Sequence, residues 1–459
     1  MAKLTDLEKV RRKRQRRRMV RNLLVLTVLA GLIWCATWAV ERAGEMDLKT
    51  AYSDIKAEIA TGSGYPISLP GGKIVRMDAV DNVLMLLSDT NIYSYNASGR
   101  QMLNQQHGFV NQGLVTGEDR MLMYDRGGSK LSLYSKSSLL HTITTDYKIY
   151  TADLSQNGNY AVATTSREYV AHVKVYNKTG QDIFNWYSYQ KPVVSVSLSN
   201  SKEEMMVGCV DVANGSYLSS VSKFQFSINQ ELSKIEIPDE LLISVDYIGS
   251  NRILALTDKR AVLLSQDLKE LASYDYQSKN LNRFAKSQDG FIVLILGDYA
   301  EDKQLTAVVL NDEFDRLGQF EVNYEITDTQ IDQKYVYLIS KNQLEIFNSE
   351  GTKLIEKQIN GIQNIHLAAG HLYYITSSEL NSINLRELLE PIENNSQDQS
   401  ASSSKKSFGR TGSASVKDLE RSNKKEDDVS SEESEITSDT NQSGESTEST
   451  IEKSMSETS

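Results

Sequence analysis

Cysteine is scarce in this chain, which has only two in 459 residues, Cys35 and Cys209. Cys35 lies inside a long apolar segment, whereas Cys209 lies far along the chain in the apolar run 205–210. A disulfide between them is not expected, so the fold must be held together by its hydrophobic core. We predict that Cys209 is a small buried hydrophobe and not a reactive thiol.

Clusters of catalytic or metal-binding side chains are also lacking. The five histidines are scattered, and neither H-E-x-x-H nor C-x-x-C spacing occurs. Ser53 and Lys56 have the S-x-x-K spacing of some acyl enzymes, but no S-D-N or K-T-G motif accompanies them. The sequence therefore predicts no catalytic residue, no cofactor-binding residue and no metal ligand.

Long apolar runs are rare as well, and the one clear example is Leu23–Val40, which contains no charged residue. Eighteen helical residues span about 27 Å, close to the roughly 30 Å of a bilayer's hydrocarbon core. Trp34 and Trp38 lie toward its C-terminal end, where indole rings favour the membrane interface. We predict an uncleaved membrane anchor, because a cleaved signal peptide has a shorter apolar region and a small residue where Trp38 stands.

A strongly basic stretch precedes this run, and its cations are predicted to set the topology. They are Arg11, Arg12, Lys13, Arg14, Arg16, Arg17, Arg18 and Arg21. The positive-inside rule keeps such a segment in the cytoplasm and sends the chain after Val40 across the plasma membrane. Nucleic-acid binding is not expected, since the basic residues directly adjoin the apolar run. The net charge of −11 averages this basic start with an acidic end.

A short amphipathic helix is predicted over 46–60, where Leu48, Ala51, Ile55 and Ile59 recur at three- or four-residue steps. It could be a stalk that pairs with a partner or a spacer packed on the following domain. We prefer the spacer.

The middle of the chain repeats a short apolar run with the length and composition of a buried strand. The eight runs are Val83–Leu87, Met121–Tyr124, Tyr160–Ala163, Met205–Val210, Ile253–Leu256, Phe291–Leu296, Tyr335–Ile339 and Leu372–Ile375. Steps between the second residues of successive runs lie between 37 and 48 residues. Propeller blades of four strands repeat at about 40–50 residues.

The rest of each repeat supports four strands per blade. A shorter strand precedes the run, as at Tyr150–Leu154, and an alternating strand follows it. Three repeats then show an aromatic-N-x-x-G turn, at Tyr95–Gly99, Tyr176–Gly180 and Phe347–Gly351, which predicts a hairpin to a fourth strand. The repeat at 263–267 departs from this pattern.

The last repeat ends after three strands, whereas an isolated strand, Tyr65–Leu69, precedes the first. Placing that strand at the outer edge of the last blade closes the ring and removes an exposed edge. Pro66 and Pro70 suit an edge strand, because proline cannot donate to a sheet. The predicted fold is therefore an all-β β-propeller, with eight blades favoured and seven as the alternative.

Five segments follow from these observations. They are a basic cytoplasmic arm (1–21), a transmembrane helix (22–40), a juxtamembrane stalk (41–64), an extracytoplasmic β-propeller (65–390) and a Ser/Glu-rich tail (391–459). The tail is predicted to be disordered, because it has too few apolar residues to offset the entropy of ordering.

The apolar runs, the N-x-x-G turns and the basic arm before an anchor resemble an uncharacterised family of single-pass membrane proteins of Gram-positive bacteria. This resemblance covers residues 1–385 and implies a WD40-like or quinoprotein-like propeller outside the cytoplasm. The WD dipeptide and the adjacent cysteines of quinone enzymes are absent.

Two classes of function remain open at this point. The propeller could be a non-catalytic module that binds a protein or envelope component, which we favour. It could alternatively be a quinoprotein-like oxidoreductase or a hydrolase with an axial site, since fold alone does not decide function.

Overall fold

The computed structural model describes residues 19–20, 23–24, 26–27, 29–31, 34, 48–249, 252–298 and 304–390. The chain forms two compact units, Met1–Asp398 and Gln399–Ser459, and every described residue belongs to the first.

The predicted anchor is described only in part. Leu23 and Trp34 are helical, whereas Trp38, Val40 and the eight topology cations lie outside the described residues, as does the tail 391–459. Among the described residues, no helix has both the length and the apolar character needed to span a bilayer.

Helix α1, Leu48–Glu58, confirms the predicted short helix with narrower bounds. Its polar side packs on the propeller. Asp54 accepts a hydrogen bond from Ser135 Oγ at 3.0 Å, and Glu58 pairs with Lys136 Nζ at 3.1 Å. The side-chain amide of Asn96 also donates to the carbonyl oxygens of residues 57, 58 and 60. The segment is thus packed on the domain as preferred, but through polar contacts.

Within the described residues, the chain forms eight four-stranded antiparallel sheets, which confirms the eight-bladed propeller. The first strands of blades 1 to 8 are β2 (Ile74–Val80), β6 (Gln112–Thr116), β10 (Ile149–Leu154), β14 (Val193–Leu198), β18 (Leu242–Ile248), β22 (Asn280–Lys286), β26 (Asp328–Ile331) and β30 (Asn364–Ala368). The second strands are β3 (Val83–Ser88), β7 (Arg120–Asp125), β11 (Tyr160–Thr164), β15 (Glu204–Ala213), β19 (Arg252–Thr257), β23 (Ile292–Gly297), β27 (Tyr335–Ile339) and β31 (His371–Ile375).

The third and fourth strands form the outer half of each blade and are given in the same order of blades. The third strands are β4 (Asn91–Tyr95), β8 (Lys130–Ser135), β12 (Ala171–Tyr176), β16 (Ser216–Gln225), β20 (Arg260–Ser265), β24 (Leu305–Leu310), β28 (Gln343–Asn348) and β32 (Glu379–Asn384). The fourth strands of blades 1 to 7 are β5 (Gln101–Gln106), β9 (Leu139–Thr144), β13 (Asp182–Ser188), β17 (Ile228–Pro238), β21 (Glu270–Asp275), β25 (Arg316–Val322) and β29 (Lys353–Gln358). In blade 8 the fourth position is taken by β1 (Ile67–Ser68).

The eight apolar runs are the second strands, because those strands are covered on both faces. Side chains on β23 show this well: Leu294 packs toward blade 5, whereas Val293 and Ile295 pack toward blade 7. Alternation sends successive side chains to opposite faces, so a strand buried on both sides is apolar throughout. The hydrophobic clusters of the described residues each join two neighbouring blades, including blades 8 and 1.

Polar side chains join neighbouring first strands near the axis. Asp153 Oδ2 accepts a hydrogen bond from the backbone N–H of Leu198 at 2.7 Å, and Asp328 Oδ2 accepts one from Ile365 at 3.0 Å. These contacts connect blade 3 with blade 4 and blade 7 with blade 8, so blades are linked by hydrogen bonds as well as by apolar packing.

The ring closes as predicted. Ile67 pairs with Leu380 and Ser68 with Glu379 in antiparallel register, which makes β1 the outer strand of blade 8. After β32 the backbone N–H of Leu385 donates to the carbonyl of Gly370 in the turn between β30 and β31, at 3.0 Å.

The predicted N-x-x-G turns are also found. Gly99, Gly180 and Gly351 adopt positive φ angles of 79°, 84° and 93°. Blades 5 and 6 make their corresponding turns with Leu268 and Phe314 at positive φ instead. Both side chains are buried, so core contacts offset the strain of a left-handed residue that is not glycine.

Candidate functional site

The two ends of the propeller differ. In an antiparallel blade, the turns between strands one and two and between strands three and four lie at one end. Helix α1 contacts this end through Asn96 and through Ser135–Lys136, so we call it the helix face. Turns between strands two and three, together with the linkers to the next blade, form the opposite end, the pocket face.

A cavity of about 530 Å³ opens beside blade 3 on the pocket face. Three segments line it: the linker from β9 to β10, the loop from β11 to β12, and the side of the blade 3 sheet that faces blade 2. The linker contributes Thr144, Thr145, Asp146 and Tyr147. The loop contributes Ser166, Glu168 and Tyr169. The sheet contributes Val162, Thr164, His172, Lys174, Tyr176 and Tyr187.

Aromatic rings form one wall of this cavity, which we call the blade 3 pocket. The ring of Tyr187 stacks on His172 with centroids 4.2 Å apart and planes 8° from parallel. Tyr169 lies 4.7 Å from Tyr187 and meets Tyr189 edge to face at 4.8 Å. His172 and Tyr187 face each other because β12 and β13 pair them directly. The sheet register therefore fixes the positions of the His172 and Tyr187 rings.

A hydrogen-bonded chain orients the histidine. His172 Nε2 lies 2.9 Å from Asn185 Oδ1, and the Asn185 amide donates to Asp182 Oδ1 at 2.7 Å. Asp182 also pairs with Lys174 Nζ at 3.2 Å. Burial lowers the pKa of His172, so its ring is neutral at pH 7.

The charged groups around the pocket are one ammonium and three carboxylates. Burial acts to lower the pKa of Lys174, but the hydrogen bond to Asp182 and the nearby acidic groups together outweigh it, so the pKa is raised and the ammonium stays charged. The ammonium also lies 5.7 Å from the centre of the Tyr176 ring. Asp146 and Glu168 add two carboxylates to the lining. The pocket thus offers aromatic faces, hydroxyls, one ion pair and two further carboxylates, and these side chains carry a net negative charge.

The sequence analysis did not predict this pocket, and Leu23 and Trp34, the two predicted anchor residues that the structure describes, do not line it. The available signal was a concentration of tyrosines between Tyr169 and Tyr189. The prediction for Cys209 is confirmed: it is buried, and burial raises the pKa of its thiol to about 12. In the described part of the chain, no group of three or more His, Cys, Asp or Glu side chains could hold a metal ion.

Comparisons with known proteins agree with the fold. The family described as a family of unknown function, DUF5711, matches residues 70–385. No curated protein matches the chain.

Solved propellers are similar in structure at low identity. The Dos1 propeller is 12% identical with a TM-score of 0.53, over 70% of this chain and 94% of that one. The C-terminal WD40 domain of Sif2 is 10% identical with a TM-score of 0.51, over 69% and 97%. A quinohemoprotein alcohol dehydrogenase from Pseudomonas putida HK5 is 11% identical with a TM-score of 0.50, over 70% and 75%. These likenesses establish a propeller fold that both binding modules and enzymes use.

Proposed function

The chain belongs to DUF5711, a family of unknown function, and from this premise we propose that it is a non-catalytic binding propeller anchored in the plasma membrane of a Gram-positive bacterium. The blade 3 pocket is its ligand site and is presented outside the cytoplasm. One observation carries the binding role: aromatic rings, hydroxyls and carboxylates from three chain segments converge on a single cavity. Concave sites with a few convergent polar groups are the usual form of ligand sites.

The lining favours a neutral, hydroxyl-rich ligand, namely a saccharide of the cell envelope. Val162 is its only aliphatic side chain, which disfavours an apolar ligand. The carboxylates of Asp146 and Glu168 disfavour a polyanion, because like charges repel. Hydroxyls such as that of Thr164 both donate and accept, as sugar hydroxyls do, while the exposed Tyr187 ring offers a flat surface for stacking.

The proposal that the protein is anchored in the membrane rests on the sequence of its first forty residues. An uncharged run of eighteen residues from Leu23 to Val40 follows the basic stretch that begins at Arg11, and tryptophans mark its outer end. This pattern is typical of an anchor with a cytoplasmic N-terminus.

Titration of the full-length protein in detergent micelles with soluble wall polysaccharide tests the ligand class. Tyr187→Ala should weaken binding about tenfold or more, because truncating a central aromatic contact commonly costs 1–3 kcal/mol. Tyr150→Ala is a matched control, since Tyr150 lies on the same blade, outside the pocket lining, and both tyrosines are 41% exposed. Equal losses in both variants, or no binding by the natural protein, would contradict the proposal.

The enzyme alternative has its own test. The purified full-length protein should be assayed for a retained redox cofactor and for hydrolysis of envelope polymers. An activity abolished by Tyr187→Ala would replace the binding role with a catalytic one.

Protease added to intact cells tests the topology. The tail after residue 391 should be digested while the N-terminal arm stays protected. An accessible arm with a shielded tail would overturn the orientation.

A further inference from the structure

Helix α1 meets the propeller with one side only. Its contacts run through Asp54 and Glu58, which bond to Ser135 at the end of β8 and to Lys136 in the turn that follows. Asp54 also accepts a hydrogen bond from Ser137 Oγ. These polar contacts fix the rotation of the helix about its own axis.

A neighbouring side of the helix is apolar and exposed. Tyr52 and Ile55 are 69% and 60% exposed, and Ile59, which directly follows the helix and donates its backbone N–H to the Ile55 carbonyl at 3.1 Å, is 77% exposed. At 3.6 residues per turn these three side chains share a narrow arc, centred about 110° around the helix axis from Asp54 and Glu58. The predicted stripe of Ile55 and Ile59 therefore faces away from the domain that it was expected to pack against. Burying a side chain of this size gains about 1.5–3 kcal/mol, so such a face favours a nonaqueous neighbour.

The short distance along the chain to the anchor indicates what this neighbour is. Seven residues, Glu41–Asp47, separate the end of the predicted membrane run at Val40 from Leu48. At 3.3–3.6 Å per residue they span at most roughly 25 Å, so helix α1 cannot lie far from the bilayer surface. Such a tether keeps the local concentration of the bilayer high, whereas a second protein would have to be recruited from solution.

We propose that helix α1 lies on the outer surface of the membrane with Tyr52, Ile55 and Ile59 at the boundary between headgroups and acyl chains. This inference rests on the proposed anchoring. Aromatic and branched aliphatic side chains on one side of a helix are typical of interfacial helices. The exposed Lys56 borders the apolar side, where its ammonium can reach anionic headgroups.

One consequence concerns the ligand site. Helix α1 and the blade 3 pocket belong to opposite ends of the propeller. If the helix face rests on the bilayer, the pocket faces away from it, toward the wall. The polar contacts of Asp54 and Glu58 then serve to hold the propeller in this orientation.

Fluorescence of the full-length protein in nanodiscs of phosphatidylcholine and phosphatidylglycerol tests the proposal. An environment-sensitive probe is attached at Ile59→Cys in a Cys35→Ser background; Cys209 is buried and the pKa of its thiol is raised, so we expect no labelling there. Val110→Cys is the control, since Val110 is an exposed aliphatic residue in the linker between β5 and β6, on the pocket face. We expect a blue-shifted spectrum and several-fold stronger quenching by lipid-attached quenchers at position 59 than at position 110.

The outcomes separate this inference from the anchoring. Equal, water-like signals at both positions in protein that stays in the nanodisc would overturn the helix placement and leave the anchor intact. A blue shift at position 59 without lipid quenching would assign the face to a protein partner instead. Failure of the full-length chain to enter nanodiscs would overturn the anchoring, and the helix placement with it.

Discussion

Blade 6 and blade 8 are built from the same four-stranded plan, but their outer edges differ. Blade 6 ends in β25, seven consecutive residues that pair with β24 along most of its length. Blade 8 ends in β1, a strand of two residues from the start of the domain. One edge is thus formed locally, and the other is formed by residues more than three hundred positions apart.

Side chains compensate for the short strand in blade 8. The Tyr65 ring meets Tyr373 edge to face at 5.5 Å, and Ile67 and Leu69 pack on the cluster that contains Leu380. One further backbone hydrogen bond runs from Leu69 to the carbonyl of Ser378 at 3.0 Å. The comparison teaches that the ring is closed by apolar packing together with a small number of backbone hydrogen bonds.

The largest effect is expected from Val293→Asp in β23 of blade 6. Val293 is fully buried between blades 6 and 7, and an unpaired buried carboxylate costs several kcal/mol. The domain should be unfolded or lose most of its thermal stability by circular dichroism. Val110→Asp is the control at an exposed valine and should change the melting temperature little. A stable Val293→Asp protein would contradict the assignment of β23 to the core.

Removal of residues 65–70 should be the next largest change. It leaves β32 with an unpaired edge and uncovers the cluster around Leu380, so we expect aggregation and a lower melting temperature. Light scattering and thermal melts measure the two effects. If a protein lacking these residues stays monomeric and equally stable, the closure of blade 8 is unimportant.

Two glycine substitutions compare a turn in blade 7 with one in blade 8. A Cβ at Gly351 would lie 2.7 Å from the Phe320 ring, whereas one at Gly370 would meet nothing within 4 Å. Both residues have positive φ, so each alanine costs about 1 kcal/mol of backbone strain. Gly351→Ala should lower the free energy of unfolding further, by about 1–2 kcal/mol beyond Gly370→Ala in urea titrations. If both variants lost the same free energy of unfolding, the Phe320 ring would be free to move away from the added methyl group.

A smaller effect, which depends on pH, is expected from Asp153→Asn, where the first strands of blades 3 and 4 meet. Burial raises the pKa of Asp153 to about 6, although the hydrogen bond from the Leu198 backbone N–H acts to lower it. Because the folded state then binds more protons than the unfolded state between about pH 4 and 6, stability increases as the pH falls through this window. Asp153→Asn should remove this gain, which amounts to about 1–2 kcal/mol in the free energy of unfolding between pH 7 and pH 5. Urea titrations at the two pH values measure the difference. An unchanged pH dependence would mean that Asp153 titrates normally.

The smallest effect is expected from deletion of residues 393–459, which follow blade 8. This polar segment has too few apolar residues to contribute a core, so the melting temperature should stay within about one degree. A large drop would indicate that the tail completes the last blade.

The sequence was sufficient to predict the blades because the second strands are buried on both faces. Val293 and Leu294 point to different neighbours, yet both must be apolar. The closing strand was also predictable, since the last repeat lacked a fourth strand and Tyr65–Leu69 had no local partner.

Other features depend on tertiary contacts that the sequence does not display. Asp146, Tyr169 and Tyr187 come together only because a linker, a loop and a strand meet at one end of blade 3. Leu268 adopts a turn conformation that usually needs glycine, because its side chain is held in the core. The outward face of Ile55 was not predictable either, since polar residues of helix α1 supply the contacts with the propeller.

Docking of helix α1 also has a consequence for the order of folding during synthesis. Ile67 is made early, but its partner Leu380 follows 313 residues later. Closing so long a loop slows folding, because its entropy must be lost before the contacts form. Helix α1, however, bonds to Asn96 and Lys136, which belong to the first two blades to be made. The closing strand is therefore already held beside blade 1 when blade 8 emerges, and the last step of folding becomes a short-range one.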